Sequence, residues 1–329
     1  MRESPFVFLR GTFYRWMQLW PVHCPALTEA PSVLGVGDLH LENFGTWRNA
    51  KNRLVWGIND VDEACKAPYT LDLVRLATSV VLAIREGHLT LSARAACAAI
   101  LDGYTASIDR GGKPFLLDGR HPWLTRVVRN RERNPERYWT KLKASPRAAG
   151  RVPRKELLAE LADADARVTF VHRIAGVGSL GRQRFVAIAK GDEGLNAREA
   201  KALLPSAAAW ARGKKHPGIH IDDLLTHAVR VIDSSFVLSG RWMIRRLAPD
   251  CARIELADLA AARDERKLLR AMGWETANLH LGSKRRKIAT HLSTQPVRWL
   301  EQAAHVMAAA TVSDWRGWRA ATRTRATPS

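Results

Sequence analysis

The chain has 329 residues, 46% of them hydrophobic, with 52 Lys+Arg against 32 Asp+Glu for a net charge of +20. This is enough for one large domain or two modest ones, and too apolar for a chain disordered throughout. The excess of positive charge would attract polyanions, so nucleic acid is a partner class to weigh, but the basic residues are dispersed over 126–155, 282–287 and 316–325 and do not favour it as the main function.

Residues 1–30 mix aromatics with Arg and Pro and break too early, at Arg10, for a signal peptide. No window approaches the roughly 18 apolar residues of a membrane helix, so a cytoplasmic protein without a membrane partner is expected. Residues 33–61 read as two paired strands, "SVLGV" and "LVWGIND", around a polar loop and a turn at "RNAKNR". The 3–4 spacing of apolar residues predicts a helix over 71–87, ending at Gly87, and a second over 90–107 capped by Ser92. The basic stretch 126–165 is helical in parts and broken by prolines. Residues 167–200 read as strand, Gly-rich loop, strand, turn, strand. A helix over 221–233, a hairpin over 236–250 and helices over 256–281 and 296–311 complete the chain. The cysteines Cys24, Cys65, Cys97 and Cys251 show no CxxC spacing, which argues against a zinc site or a disulfide framework.

Three motifs carry chemistry. In "GVGDLHLENFG" (35–45), Asp38 and Asn43 lie five apart in a loop after a strand. The spacing resembles the D-x-x-x-x-N of kinase-superfamily phosphotransferases, where the Asp receives a substrate hydroxyl and the Asn faces a metal. In "INDVDEA" (58–64), at the end of the next strand, Asp60 fits the metal-binding Asp of those enzymes and Asp62 a second ligand. Asp72 opens the following helix, where it would brace the loop. The bracing role is also favoured for His40 over contact with substrate. Glu42 is expected to be solvated, Arg10 and Arg15 either bind an anion or pack on Phe13 and Trp16, and His280 ends a core helix.

"GVGSLG" (176–181) is a GxGxxG followed by a strand, "RQRFVAIAK", so a phosphate-covering flap formed by Gly176, Gly178, Ser179 and Gly181 is preferred to a dinucleotide fold, which needs a helix there. In an ordinary kinase this lobe precedes the catalytic loop; here it follows. Joining the end of the chain to its beginning restores the usual order. The predicted fold is therefore α+β, a protein-kinase-like, aminoglycoside-phosphotransferase-like two-lobe fold in circularly permuted order. Residues 1–165 would form the catalytic-loop part of the large helical lobe, 166–250 the small β-rich nucleotide lobe, and 251–329 helices returning to the large lobe.

The segments "SPFVFLRGTFYRW", "VGDLHLENFGTW", "NDVDEA", "DLVRLATS", "GVGSLGRQRFVAI", "REAKALLPSA" and "IRRLAPD" resemble, in order and over nearly the whole chain, the bacterial family called domain of unknown function 2252 (DUF2252). The resemblance implies a kinase-like transferase with ATP and Mg2+ as cofactors, moving a phosphoryl or nucleotidyl group to a hydroxyl of an unknown small molecule or protein. "GDLHLEN" is similar to the "HGDLHxxN" loop of aminoglycoside and choline kinases, with Val36 in place of the leading His. The β-strand lysine of those enzymes has two candidates here, Arg198, narrowly preferred because "GLNAR" reads as a strand ending at it, and Lys201. Glu199, Asp222 and Asp223 are candidates for the acid that pairs with it. The alternative is a non-catalytic nucleotide-binding pseudokinase, or a basic nucleic-acid- or anion-binding protein.

Overall fold

A computed structural model describes residues 1–117, 119–129, 134–161, 167–176, 182–192, 194–213, 215, 218–251 and 264–324. The chain opens with helices α1 (Pro5–Gly11) and α2 (Phe13–His23), strand β1 (Ser32–Gly35), the hairpin β2 (Phe44–Arg48) and β3 (Leu54–Ile58), and strand β4 (Cys65–Pro68). Helices α3 (Tyr69–Arg85) and α4 (Ala93–Arg110) follow, then β5 (Phe115–Leu116) and helices α5 (Pro122–Arg129), α6 (Pro135–Lys143) and α7 (Arg154–Ala159). Next come strands β6 (Arg167–His172), β7 (Arg184–Gly191) and β8 (Gly194–Ala202), helices α8 (Ala207–Ala211) and α9 (Ile221–His227), and strands β9 (Val237–Ser239) and β10 (Trp242–Leu247). Helices α10 (Glu265–His280), α11 (Arg285–Ser293) and α12 (Trp299–Thr324) close the chain. The molecule is a mixed α+β protein.

Local chemistry sets many of these boundaries. Ser4 caps α1 by accepting from the Val7 N–H (3.3 Å), and Ser92 caps α4 through Ala95 (3.2 Å). Gly111, at φ +80°, ends α4 in the left-handed region. In the β2–β3 turn, the Asn49 side chain accepts from the backbone N–H groups of Lys51 (3.0 Å) and Arg53 (2.9 Å).

The strand pairing corrects the expectation for residues 33–61. β3 pairs with β2, built from "FGTWR", and β1 pairs with β4, Val33 opposite Ala67. The helix expected over 221–233 stops at His227. Ala228 is extended (φ −69°, ψ 149°), and the Val229 N–H donates to the Asn278 carbonyl (2.9 Å), drawing a β-branched run out of the helix. β8 continues to Ala202 where it was expected to end near Arg198.

The large core joins α1, α2, β1–β4, α3, α4, α10 and α12. α3 is buried on almost every side, and α4 crosses α10 at Gly103 and Gly273, where an added Cβ would overlap the carbonyls of Arg270 and Ile100. The two ends of the chain meet: the Trp315 indole donates to the Met1 carbonyl (3.2 Å), and Arg15 pairs with Asp314 (2.7 Å). The five-stranded antiparallel sheet, in the order β6–β7–β8–β10–β9, carries two smaller cores. Phe185, Ala187, Ala200 and Trp242 on one face pack on Leu157 of α7, and Val186, Ile188, Ala197 and Leu247 on the other pack on Leu142 of α6. Among the described residues, no helix is long and apolar enough to cross a membrane.

Candidate active site

The loop after β1 needs Gly37. Its φ is +80°, and a Cβ there would overlap the Glu63 carbonyl. Asp72, in the first turn of α3, holds the loop from below: its carboxylate accepts from the N–H groups of Val36 (2.7 Å) and Gly37 (2.9 Å) and contacts His280 Nε2 (2.9 Å). His280 in turn meets the Tyr104 hydroxyl through Nδ1 (2.8 Å), so the end of α10 is tied to the start of the loop. His40 accepts from the Glu42 N–H (3.2 Å), and the Asn43 side-chain oxygen accepts from the His40 N–H (2.6 Å), a reciprocal cap that fixes the turn. Glu42, expected in solvent, is buried and pairs with Arg10 of α1 at 2.6 Å. The N-terminal helices therefore lie over the loop, and Arg10 and Arg15 both have acidic partners within the chain.

Asp38 is half-buried, and its Oδ1 is held by Arg75 Nε (3.0 Å) and Nη2. Arg75, with no exposed surface, also donates to the Leu9 carbonyl (2.8 Å) and lies between the rings of Phe13 and Trp16, each 5.0 Å away. Burial pushes the Asp38 carboxyl up to about 7, with Arg75 opposing and the neighbouring Glu63 and Asp62 adding to the rise. A carboxyl titrating there is suited to receive a proton near neutral pH.

Asp60 and Asp62 leave the end of β3 and meet Lys201 of β8. Lys201 is 2% exposed; its ammonium bonds Asp62 Oδ2 and lies 3.7 Å from Asp60 Oδ1. Burial works against the Asp60 charge, but Lys201, with Asp62 and Arg245, holds its carboxyl below the ordinary carboxylate range. Arg182 bridges Asp62 Oδ2 (2.7 Å) and Glu63 Oε1 (2.5 Å), and Glu63 Oε2 accepts from the Ala207 N–H (2.6 Å). Asn43 joins this group through its backbone, whose carbonyl accepts from the Asn59 N–H (2.9 Å).

Strand alternation decides between the two basic candidates. β8 is regular across both, with Arg184 of β7 opposite Lys201 and Arg245 of β10 opposite Glu199. Glu199 and Lys201 thus share one face and Arg198 takes the other, where it donates to the Asn196 side chain (2.7 Å). The preference for Arg198 is reversed: Lys201 is the base that reaches the carboxylates. Its acidic partner is Asp62. Of the three acids weighed for that role, Glu199 pairs with arginines, Asp222 lines the cavity described next, and Asp223 is exposed beside His220.

A cavity of about 300 Å³ lies between the β2–β3 hairpin and the sheet. Ile58, Leu225, Phe236, Leu238 and Leu247 form its apolar part; Asp60 and the arginines Arg173, Arg184, Arg230, Arg245 and Arg246 form its polar part. Arg230 stacks on Trp47 (4.6 Å) and donates to the Ile58 carbonyl (3.3 Å). Gly176, at φ +78°, lines the cavity too, so the Gly-rich segment starts at its wall; Gly178, Ser179 and Gly181 lie outside the described residues. Asp38, Asn43 and Arg198 do not line it.

Among the described residues no three His, Cys, Asp or Glu side chains are grouped as a metal site. A phosphate-bridged magnesium ion asks less of a protein, one or two carboxylates. Asp60 Oδ1 is buried without a hydrogen-bond partner and Asp60 lines the cavity, so this carboxylate fits that requirement; the Asn43 side-chain oxygen, which accepts from the His40 N–H, keeps a second lone pair.

Four functional-looking residues escaped the sequence reading: Arg75, Arg182, Arg184 and Arg245. Arg184 and Arg245 did leave a signal, since each alternates with apolar residues on one strand face, Val186 and Ile188 in β7 and Met243 and Leu247 in β10.

Comparison with known proteins adds the family. The model of the family described as "Uncharacterized protein conserved in bacteria (DUF2252)" matches residues 1–172, more than half of the chain and including the Asp38 loop and the Asp60 turn. No curated protein and no solved structure matches the chain.

Proposed function

This chain belongs to the DUF2252 family, and we infer that it is an ATP- and Mg2+-dependent transferase of kinase-like type, moving a phosphoryl or nucleotidyl group to a hydroxyl. The observation that carries the reading is the buried Lys201, which reaches from the sheet to Asp60 and Asp62 just after β3, with Asp60 on the cavity wall. The cavity supports it, with an apolar part for a base and a cationic part for phosphates. So does chain order: α10 ends at the loop that carries Asp38, linked to it through His280 and Asp72, as a circularly permuted kinase-like fold requires.

In this reading Asp38 takes the acceptor's proton, and Arg75 positions its carboxylate. Asp60 and Asn43 would hold magnesium, which neutralises charge on the phosphates when bound. Lys201 balances the acids until the nucleotide arrives. Most of the barrier reduction asked of such a site is positioning and charge neutralisation.

The pairing of Asp38 with Arg75, and of Asp62 with both Lys201 and Arg182, favours a second reading, a non-catalytic nucleotide- or anion-binding protein. Thermal melting with ATP and magnesium, followed by mass spectrometry for self-modification, separates the two. Calorimetry with Asp60→Asn tests the metal role. Magnesium-dependent ATP binding that is unchanged in that variant removes Asp60 from the site.

A further inference from the structure

Three guanidiniums of the cavity wall, those of Arg173, Arg184 and Arg245, meet at one carboxylate behind it. Glu199 Oε1 accepts from Arg184 Nη1 (3.1 Å) and from Arg245 Nε (3.1 Å) and Nη2 (2.9 Å), while Oε2 accepts from Arg173 Nη1. Glu199 is fully buried, so a single enclosed negative charge faces three positive ones. Strand geometry makes the cluster deliberate: Arg184, Glu199 and Arg245 project from three adjacent strands onto the cleft face, and Arg173 follows directly after β6.

The rest of the wall does not cancel the surplus. Arg230 and Arg246 bring the arginines to five, against Asp60, Asp222 and Asp233. Asp60 already has Lys201 beside it, and Arg246 has Asp250 (3.1 Å). Gathering cations in a partly dry cavity is unfavourable unless an anion completes the set. A guanidinium presents five N–H donors in a planar fork that matches phosphate oxygens. Glu199 takes one of these from Arg173 and two from Arg245, whose side chains line the cavity and each keep 24% of their surface exposed.

We propose that this arginine fan binds the phosphate chain of the donor nucleotide directly, so that a polyphosphate is held in the cavity without a metal ion. The proposal rests on the nucleotide-binding reading above and adds the identity of the grip. In the free protein Lys201 is paired with Asp62, Glu199 holds the fan's spacing, and Gly176 lies on the same wall.

The test is isothermal titration of the full chain with inorganic tripolyphosphate in EDTA. Arg173→Gln is the main variant, because Glu199 keeps Arg184 and Arg245 and the change falls at the exposed edge of the fan. Arg173→Lys keeps the charge without the fork, and Lys190→Gln removes the same charge from an exposed site at the far end of β7. Thermal melts establish that each variant is folded. Wild-type protein should bind tripolyphosphate without metal, and ATP should displace it. Arg173→Gln should weaken binding about tenfold or more, Arg173→Lys less, and Lys190→Gln by no more than about twofold. Tripolyphosphate binding that requires magnesium, or that is unaltered in Arg173→Gln, overturns the fan while leaving the transferase reading intact if Mg-ATP still binds. Failure of the wild-type chain to bind Mg-ATP overturns both. Simultaneous binding of ATP and tripolyphosphate overturns the assignment to the donor and moves the anion to the acceptor.

Discussion

Lys201→Met removes a charge that two carboxylates share and leaves a side chain of similar length. Taking one partner from a buried ion pair costs about 3–5 kcal/mol. The lower end applies here, because the Asp60 side chain is 28% exposed and Arg182 still holds Asp62 at 2.7 Å. The loss has a definite dependence on pH. In the wild-type protein the Asp60 carboxyl lies below its ordinary value, so the stability it contributes is present above an unfolded pKa of about 3.9 and disappears as pH falls toward the folded value. Once Lys201 is removed, Asp62, Arg245 and Arg184 still oppose burial, so the carboxyl is held down less strongly and its folded value moves back toward the ordinary one. The stability lost with Lys201 is then missing in full above about pH 4, and the deficit closes as pH falls below the unfolded value, where the carboxyl is protonated in both states. Urea unfolding at about pH 6 and about pH 2.5 should therefore show a larger deficit at the higher value. An equal deficit at the two values refutes the idea that Lys201 keeps Asp60 ionised. In the same protein, loss of a hydrogen bond from a charged group should weaken Mg-ATP binding by about 1.5–3 kcal/mol, and Arg198→Met should not. A loss confined to Arg198→Met would reinstate Arg198 as the phosphate-facing base.

Burial raises the Glu275 carboxyl from 4.5 to about 7 against the opposing Arg230, so it should lower folding stability by about 3 kcal/mol as pH rises from 4.5 past 7. Urea unfolding of Glu275→Gln across that range should show the fall missing, and parallel curves for variant and wild type would reject the assignment. Asp72→Asn replaces one of the two oxygens that accept from Val36 and Gly37 with a donor, which should cost about 1–3 kcal/mol and speed amide exchange at residues 36–38. Unchanged protection there would show that the loop is held by other contacts. Gly103→Ala puts a methyl against the Arg270 carbonyl; the crowding, about 1–3 kcal/mol, should outweigh the helix gain of about 1 kcal/mol and lower the melting temperature.

The sequence displayed the elements whose signal is local. Ser92 before an apolar period marked α4, and the alternation of "RFVAIAK" marked β7, because capping and pleating depend on neighbours along the chain. Pairing was harder. "SVLG" and "LVWGI" are equally good strands, and which partner each takes is decided by packing on α3 and α10, so β1 went to β4 and β3 to β2. The break at Ala228 was invisible for the same reason, since it follows from the hydrogen bond of the next residue, Val229, to Asn278, far along the chain.

The candidate site divides along that line. Asp38, Asn43, Asp60 and Asp72 belong to short motifs, and a loop that must hold a carboxylate at one spacing writes that spacing into consecutive residues. Partners across the fold lie far off in the chain: Arg75 is 37 positions from Asp38, Lys201 139 from Asp62 and His280 208 from Asp72. Such partners are chosen by which strand face or helix side meets the loop, and the sequence shows the face only when the strand's limits are known. One boundary, ending β8 at Arg198 in place of Ala202, was enough to put Arg198 and not Lys201 on the side of the acids. With the strand extended, alternation alone puts Glu199 and Lys201 on the cleft side and Arg198 behind them. The same alternation lines up Arg184 and Arg245 beside Glu199. Lysine at the carboxylates and arginine at the cavity wall are therefore two consequences of one strand register.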